Sequence, residues 1–243
     1  MDNIDNSNNR ILYLDEHLAV FNKQNGEICE SWTKTCTEPK TTYVPEAFLK
    51  CLDETHTVPK FYQCFNRLDR PVSGVNILVF SPHLFSLLQN QFTNNQNGKK
   101  SVKKVYWAIV EGKLPKSDFE LLEHHLRFDA KKQKSFVHDK PDRKTKLARL
   151  KWRSLGHGEN YSFVEIELLT GRTHQIRSQL AHIGLHIKGD VKYGARRQDT
   201  LAGIRLHARF VEFEHPKTHD TISCTADIAV IDPLWQAFLD CSV

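Results

Sequence analysis

Apolar and polar positions alternate along most of the 243-residue chain in short runs, and changes of period separate strands from helices. After a polar opening, MDNIDNSNNR, the segment ILYLDEHLAVFNK sets two apolar runs around Asp15 and Glu16, which predicts an entry hairpin ending at Lys23. Residues 24–60 show weak periodicity and scattered prolines, a connection with one short helix near Pro45 to Leu52. VNILVF then suits a buried strand, and SPHLFSLLQNQF a helix with Ser81 as cap, Pro82 at its first position and Leu84, Leu87, Leu88 and Phe92 on one face. VYWAIVEG reads as a strand stopped by Gly112. In YSFVEIELL the alternation puts Val164, Ile166 and Leu168 on one side, and a helix follows, capped by Thr173, with Ile176, Leu180 and Ile183 as its buried stripe and Gly184 at its end. IRLHARFVEFEH and TISC read as strands about a turn at Pro216, and Asp232 and Pro233 open a closing helix. These elements predict an α+β fold on a mixed, mainly antiparallel central sheet flanked by helices.

No break in composition divides the chain, so the expectation is a disordered tail over 1–10 and one catalytic domain over 11–243. The formal net charge of +5 suits an acidic partner such as nucleic acid, although charge alone does not select one. Six cysteines without a C-x-x-C pair suggest neither a zinc cage nor a disulfide framework, and point to a reducing cytoplasm. No apolar run reaches the ~20 residues that span a bilayer, and the acid-containing start is unlike an Arg-rich transit peptide. His182 and His186 have a metal-like spacing, but Gly184 interrupts the helix between them and no acidic partner is evident, so they read as packing or surface histidines and no metal site is expected.

Two segments carry candidate chemistry. Arg67, Asp69 and Arg70 share one short loop, where guanidinium groups keep a carboxylate ionised and available as a nucleophile. Alone, such a string more often marks a surface salt bridge. Residues 127–149 hold nine Lys or Arg against three Asp, either a phosphate-facing arm or a solvated loop or hairpin.

Four ordered segments raise the first of these above chance: ILYLDEHLAVFNKQNG, NRLDRPVSGVNILVF, VYWAIVEG, and LLTGRTHQIRSQLAHIGLHIKGDVKYG followed by IRLHARFVEFEHPKT. Each resembles a block of the RluA-type pseudouridine synthases, and together they run from about residue 11 to 220. The resemblance is to the short, single-domain members, and it implies the pseudouridine synthase catalytic fold. It further implies a cofactor-independent isomerase that converts chosen uridines of tRNA or large-subunit ribosomal RNA to pseudouridine in the cytoplasm, with structured RNA as partner and neither a membrane nor an obligate protein partner.

The resemblance assigns Asp69 as the essential carboxylate, Tyr106 as the tyrosine beside it and Arg177 as the arginine that ion-pairs it. Arg67 takes the role of displacing the target base, or of clamping a phosphate, and Arg70 belongs to the same RNA-facing loop. Arg172 and His174 flank the start of a helix whose free amides favour phosphate, or serve the structure. The chemistry is coherent, because breaking an N-glycosidic bond requires something to stabilise an electron-poor sugar carbon, which a carboxylate does. Tyr106 then moves a proton on the sugar or packs under the base. Three positions depart from the pattern: Asn66 replaces the usual His, Gln24-Asn25-Gly26 follows Lys23 where K-P-x-G is usual, and Val191 replaces the common Pro after Asp190. Asn66 motivates the alternative reading, a catalytically silent RNA-binding or RNA-folding protein on the same fold.

Overall fold

The computed structural model describes residues 10–30, 42–93, 102–138, 140–201 and 203–241. In chain order its elements are β1 (Ile11–Leu14), β2 (Leu18–Lys23), α1 (Val44–Leu49), β3 (Gln63–Cys64), β4 (Ser73–Val79), α2 (Pro82–Thr93), β5 (Val102–Glu111), β6 (Glu120–Asp129), β7 (Lys134–His138), β8 (Lys146–His157), β9 (Tyr161–Leu168), α3 (Gln175–His182), β10 (Leu206–Glu214), β11 (Thr221–Thr225) and α4 (Pro233–Cys241). They form two compact units, one of residues up to 103 with 208–228, the other of 104–207 with the residues from 229 onward. Of the expected tail, residues 1–9 lie outside the described residues. Arg10 is tied down, its guanidinium bonding Asn22 O at 3.0 Å and Glu27 at 2.6 Å.

In the first unit the strands run β1–β2–β4–β10–β11, with β3 also on β4. The β1–β2 turn closes on Asp15, whose Oδ1 accepts from the amides of His17 and Leu18 at 2.7 and 2.8 Å, the local bonding that makes Asp a turn former. Antiparallel register sets Leu18 opposite Val79 and Lys23 opposite Gly74. One face of β2 and β4 carries Leu18, Val20, Val75, Ile77 and Val79 into a core with Leu84 and Leu88 of α2 and Val211 and Phe213 of β10. The other face holds Phe21, whose ring meets Phe48 of α1 edge-on at 5.9 Å. Cover on both faces explains why LAVF and ILV read as unbroken apolar runs. The α2 start is as its sequence dictates, with the Leu84 amide donating to Ser81 Oγ at 3.2 Å. Gly74 adopts φ +109°, and a Cβ there would stand 2.2 Å from Ala208 O, so only glycine lets β4 come this close to β10.

In the second unit the order is β5–β9–β8–β6–β7, antiparallel throughout. The same face carries Tyr106, Ile166, Trp152, Leu150, Ala148 and His124, as the registers require. Helix α3 covers that face, where the Gln179 amide reaches His124 Nδ1 at 3.0 Å and Ala148 O at 3.3 Å. On the opposite face Trp107 and Phe163 pack on Phe238 of α4, ring centroids 4.8 and 5.4 Å apart. The Trp235 amide donates to Asp232 Oδ1 at 3.0 Å, the expected cap. Arg205, Asp199, Asp232 and Lys188 form a largely buried ion network beneath this helix. The fold is α+β, mainly antiparallel, with a parallel bridge between Ile28 and Tyr43. The basic stretch 127–149 takes in the end of β6, its turn into β7, the connection after β7 and the start of β8.

Candidate active site

Asp69 is partly buried on a turn between β3 and β4, closed by the Val72 amide donating to Asp69 O at 2.9 Å. Its upstream anchor is Asn66. The Ile77 amide donates to Asn66 Oδ1 at 2.6 Å and Asn66 Nδ2 donates to Val75 O at 3.1 Å. A carboxamide offers an acceptor and a donor spaced like those of a peptide, so this side chain supplies the rung of the ladder that follows Phe65, whose own amide donates to Ile77 O at 2.7 Å. Imidazole cannot present both groups toward one strand. Asn66→His is therefore expected to leave the Ile77 amide or Val75 carbonyl unmet and to cost about 1–3 kcal/mol, read as a lower midpoint in urea; an unchanged midpoint would contradict this account.

Three further groups hold the same turn. Cys29 Sγ accepts from Leu68 N at 3.4 Å and donates to Leu68 O at 3.5 Å. Gly26 N donates to Arg70 O at 2.8 Å, and Arg70 Nε returns a bond to Gly26 O at 3.3 Å. The ammonium of Lys23, with no exposed surface, donates to main-chain carbonyls of Gln24, Asp69, Arg70 and Val72. Burial draws Lys23 down to about 8, against the opposing pull of Cys29, Glu27, Asp69 and Cys64. The hydrogen bond from Cys64 draws the Cys29 thiol below its ordinary range. Arg67 projects outward and meets Glu30 at 2.7 Å, with both side chains largely exposed, so solvent screens the pair and leaves the guanidinium available.

In the second unit Tyr106 lies on β5, opposite Ile166 and on the face beneath α3. Lys104, two residues earlier on that face, is drawn down to about 8 by burial and then by Arg172. Helix α3 begins one residue later than Thr173 suggests: His174 is the cap residue, in the left-handed region at φ +52°, and its Nδ1 lies 3.0 Å from the Tyr193 hydroxyl. Gln175 completes the helix start, accepting from Thr170 Oγ1 and Arg172 N at 2.8 and 3.0 Å. Arg172 itself is exposed, its Nε on Leu147 O at 2.9 Å.

Ile183, expected in the buried stripe, is exposed at the helix end, whereas residues 175–180 are all buried, polar ones included. Arg177, 5% exposed, makes a two-pronged ion pair with Asp190, Nε to Oδ2 at 2.6 Å and Nη2 to Oδ1 at 2.7 Å. Its guanidinium carbon lies 4.9 Å from the centre of the Tyr193 ring. The Tyr193 hydroxyl accepts from Ser135 N at 2.7 Å, which ties β7 to this arrangement. The sequence singled out Arg177 but neither Asp190 nor Tyr193 as a site residue; their signal was the segment GDVKYG, residues 189–194, beyond the helix. Lys23 and Cys29 were likewise missed as supports of the Asp69 loop. No group of three or more His, Cys, Asp or Glu suited to a metal occurs among the described residues.

Comparison with known proteins adds four findings. Residues 17–182 match the family model for RNA pseudouridylate synthase. The chain is 28% identical over 228 residues to ribosomal large subunit pseudouridine synthase C of Buchnera aphidicola, spanning 91% of this chain and 67% of that protein. It is 27% identical over 251 residues to tRNA pseudouridine synthase C of Vibrio cholerae, spanning 94% and 93%. Among solved structures, human RNA pseudouridylate synthase domain containing 4 superposes with a TM-score of 0.69 at 19% identity, over 96% of this chain and 92% of that one, a likeness of fold.

Proposed function

The chain belongs to the RNA pseudouridylate synthase family, and from that premise we propose that it isomerises specific uridines of tRNA or large-subunit ribosomal RNA with Asp69 as the catalytic carboxylate. The observation that carries this reading is the Asp69 turn, whose main chain is fastened by Lys23, Cys29, Gly26 and Asn66 while the Asp69 side chain remains partly accessible. A fixed carboxylate suits a reaction in which charge develops at a sugar carbon, because its field is in place before the bond breaks. In the proposed cycle Asp69 meets the sugar carbon by attack or ion pairing, uracil departs and rotates, and the base rejoins through carbon 5. Tyr106 moves the sugar proton, and Arg177 provides the guanidinium that the family motif calls for at Asp69. Arg67, exposed, enters the place the target base vacates.

RNA contact is proposed for Arg70, Arg172 and His174 and for the exposed Lys131 and Lys132 of the β6–β7 turn and Lys140, Arg143 and Lys144 between β7 and β8. The distinguishing experiment is tritium release from RNA labelled at carbon 5 of uridine, because forming the new glycosidic bond expels that hydrogen. Separate tRNA and ribosomal fractions lacking the modification are incubated with the wild-type protein. Release from one fraction is expected and names the RNA class, whereas release from neither would overturn the proposal.

A further inference from the structure

Two thiols, Cys29 and Cys64, meet in the first unit beside the Asp69 turn. Cys64 lies on β3 opposite Leu78, and Asn76, two residues before Leu78, shares that face of β4. Asn76 Nδ2 reaches Cys29 Sγ at 3.5 Å, so the segment after β2 lays Cys29 onto the same face. Three donors converge on the Cys29 sulfur: Asn76 Nδ2, the Leu68 amide at 3.4 Å and the Cys64 thiol. Cys64 draws the Cys29 thiol down most, and the charges of Lys23 and Arg67 act in the same direction. Such surroundings favour a thiolate, the nucleophilic form of cysteine. Cys64 is the reverse case, because its bond to Cys29 and then its burial keep the proton on it. A nucleophilic sulfur with a protonated thiol in hydrogen-bond reach is the arrangement of an oxidisable pair. Cys29 and Cys64 are 6% and 5% exposed, which selects an oxidant as small as hydrogen peroxide over bulky thiol reagents.

We propose that Cys29 is an oxidation site: hydrogen peroxide joins it to Cys64 as a disulfide, and this bond unfastens the Asp69 turn and halts turnover until a thiol reductant opens it. The effect on turnover rests on the reading of Asp69 given above. In the first step Cys29 Sγ attacks one peroxide oxygen, the O–O bond breaks, and the departing hydroxide takes the thiol proton as water, leaving a sulfenic acid. In the second the Cys64 sulfur attacks the Cys29 sulfur, the S–O bond breaks, and the leaving hydroxide takes the Cys64 proton as a second water. Two thiols thus give up two electrons, and one peroxide becomes two waters. A dithiol reverses the bond by exchange and ends as its own disulfide.

The disulfide acts on the turn through Leu68, the residue before Asp69. In the reduced protein Cys29 Sγ accepts from Leu68 N at 3.4 Å and donates to Leu68 O at 3.5 Å. Oxidation removes the proton that Leu68 O receives and draws Sγ to about 2 Å from the Cys64 sulfur. The Leu68 amide and carbonyl lose this partner together, at a buried position where the chain leads into the turn.

The test reads the wild-type protein before hydrogen peroxide, after it, and after dithiothreitol. Trypsin leaves Cys29 in peptide 24–34 and Cys64 in peptide 61–67, with Cys36 and Cys51 in others, so mass spectrometry identifies the bond. A cross-link of 24–34 to 61–67 is expected, with kcat for tritium release down at least about 10-fold, and dithiothreitol reverses both. Cys29→Ser is expected to keep its own untreated kcat after peroxide. Absence of this cross-link, a cross-link with turnover unchanged, or an equal loss in Cys29→Ser overturns the proposal. If Cys29→Ser does not fold, hydrogen exchange in wild type takes its place: the Leu68 amide is expected to lose protection on oxidation and regain it on reduction, and unchanged protection overturns the proposal. Untreated wild type that releases no tritium from any RNA defeats the underlying reading of Asp69, and the cross-link with Leu68 exchange then decides the oxidation site alone.

Discussion

Asp69→Asn is expected to lower kcat for tritium release at least about 10³-fold, some 4 kcal/mol of barrier, with RNA affinity and thermal midpoint nearly unchanged. The substitution removes one charge and almost no volume. The bonds that fix the turn at this position run to the main chain, from Lys23 Nζ and from Val72 N to Asp69 O, and asparagine keeps both. What is lost is the anionic oxygen that either bonds to the sugar carbon or balances its charge, and neither role passes to an amide. The control is circular dichroism and RNA binding on the same preparation. Activity within a few-fold of wild type would remove Asp69 from the mechanism and return attention to a binding-only protein.

Breaking the Arg177–Asp190 pair is expected to be the most damaging single change to the fold. Both side chains are nearly inaccessible, and the two-pronged geometry leaves neither charge facing water. Asp190→Ala removes the two-pronged partner of a buried guanidinium, which costs about 3–5 kcal/mol and lowers the melting midpoint by roughly 6–20 °C in a chain of this size. The companion variant, Arg177→Met with Asp190→Leu, removes both charges and is expected to recover most of that stability, because well-packed apolar residues often replace a buried pair without loss. It should nonetheless stay inactive under the proposed mechanism. A midpoint for Asp190→Ala within about 2 °C of wild type would show that water or another group compensates Arg177.

How much of this was legible in the sequence depended on whether each residue's role is written in local pattern. The β1–β2 hairpin, β4, α2, β5, β9, β10, β11 and α4 all follow from apolar spacing and from caps such as Ser81 and Asp232, since those signals are local. Strands β6 and β8 were not. In β6 the residues Glu120, Leu121, Glu123, Arg127 and Phe128 are exposed, so charged and apolar residues share the outward positions and the two-residue period is blurred. Thr173 was a reasonable cap, but Tyr193, distant in sequence, holds His174 in the left-handed conformation that opens the helix instead. For the candidate site the motifs named Asp69, Tyr106 and Arg177. The residues that hold the first and third, Lys23, Cys29, Asn66, Asp190 and Tyr193, act through contacts whose partners only folding brings together. Asn66 stood out as an exception to a pattern, and its carboxamide rung on β4 gives that exception a physical meaning.

Lys23, Cys29 and Gly26 grip the Asp69 turn by carbonyl oxygens and amides of residues 68–72, without using a side chain from positions 67 or 69. Shape and reactivity are thus encoded separately: the scaffold sets the path of the chain through main-chain atoms, and the side chains at these positions supply the chemistry. The segment is consequently suited to saturation libraries at 67 and 69, in which most members keep the parental backbone and a change in product distribution reports chemistry instead of misfolding. The same separation gives a natural lineage a route to new target choice at low structural risk.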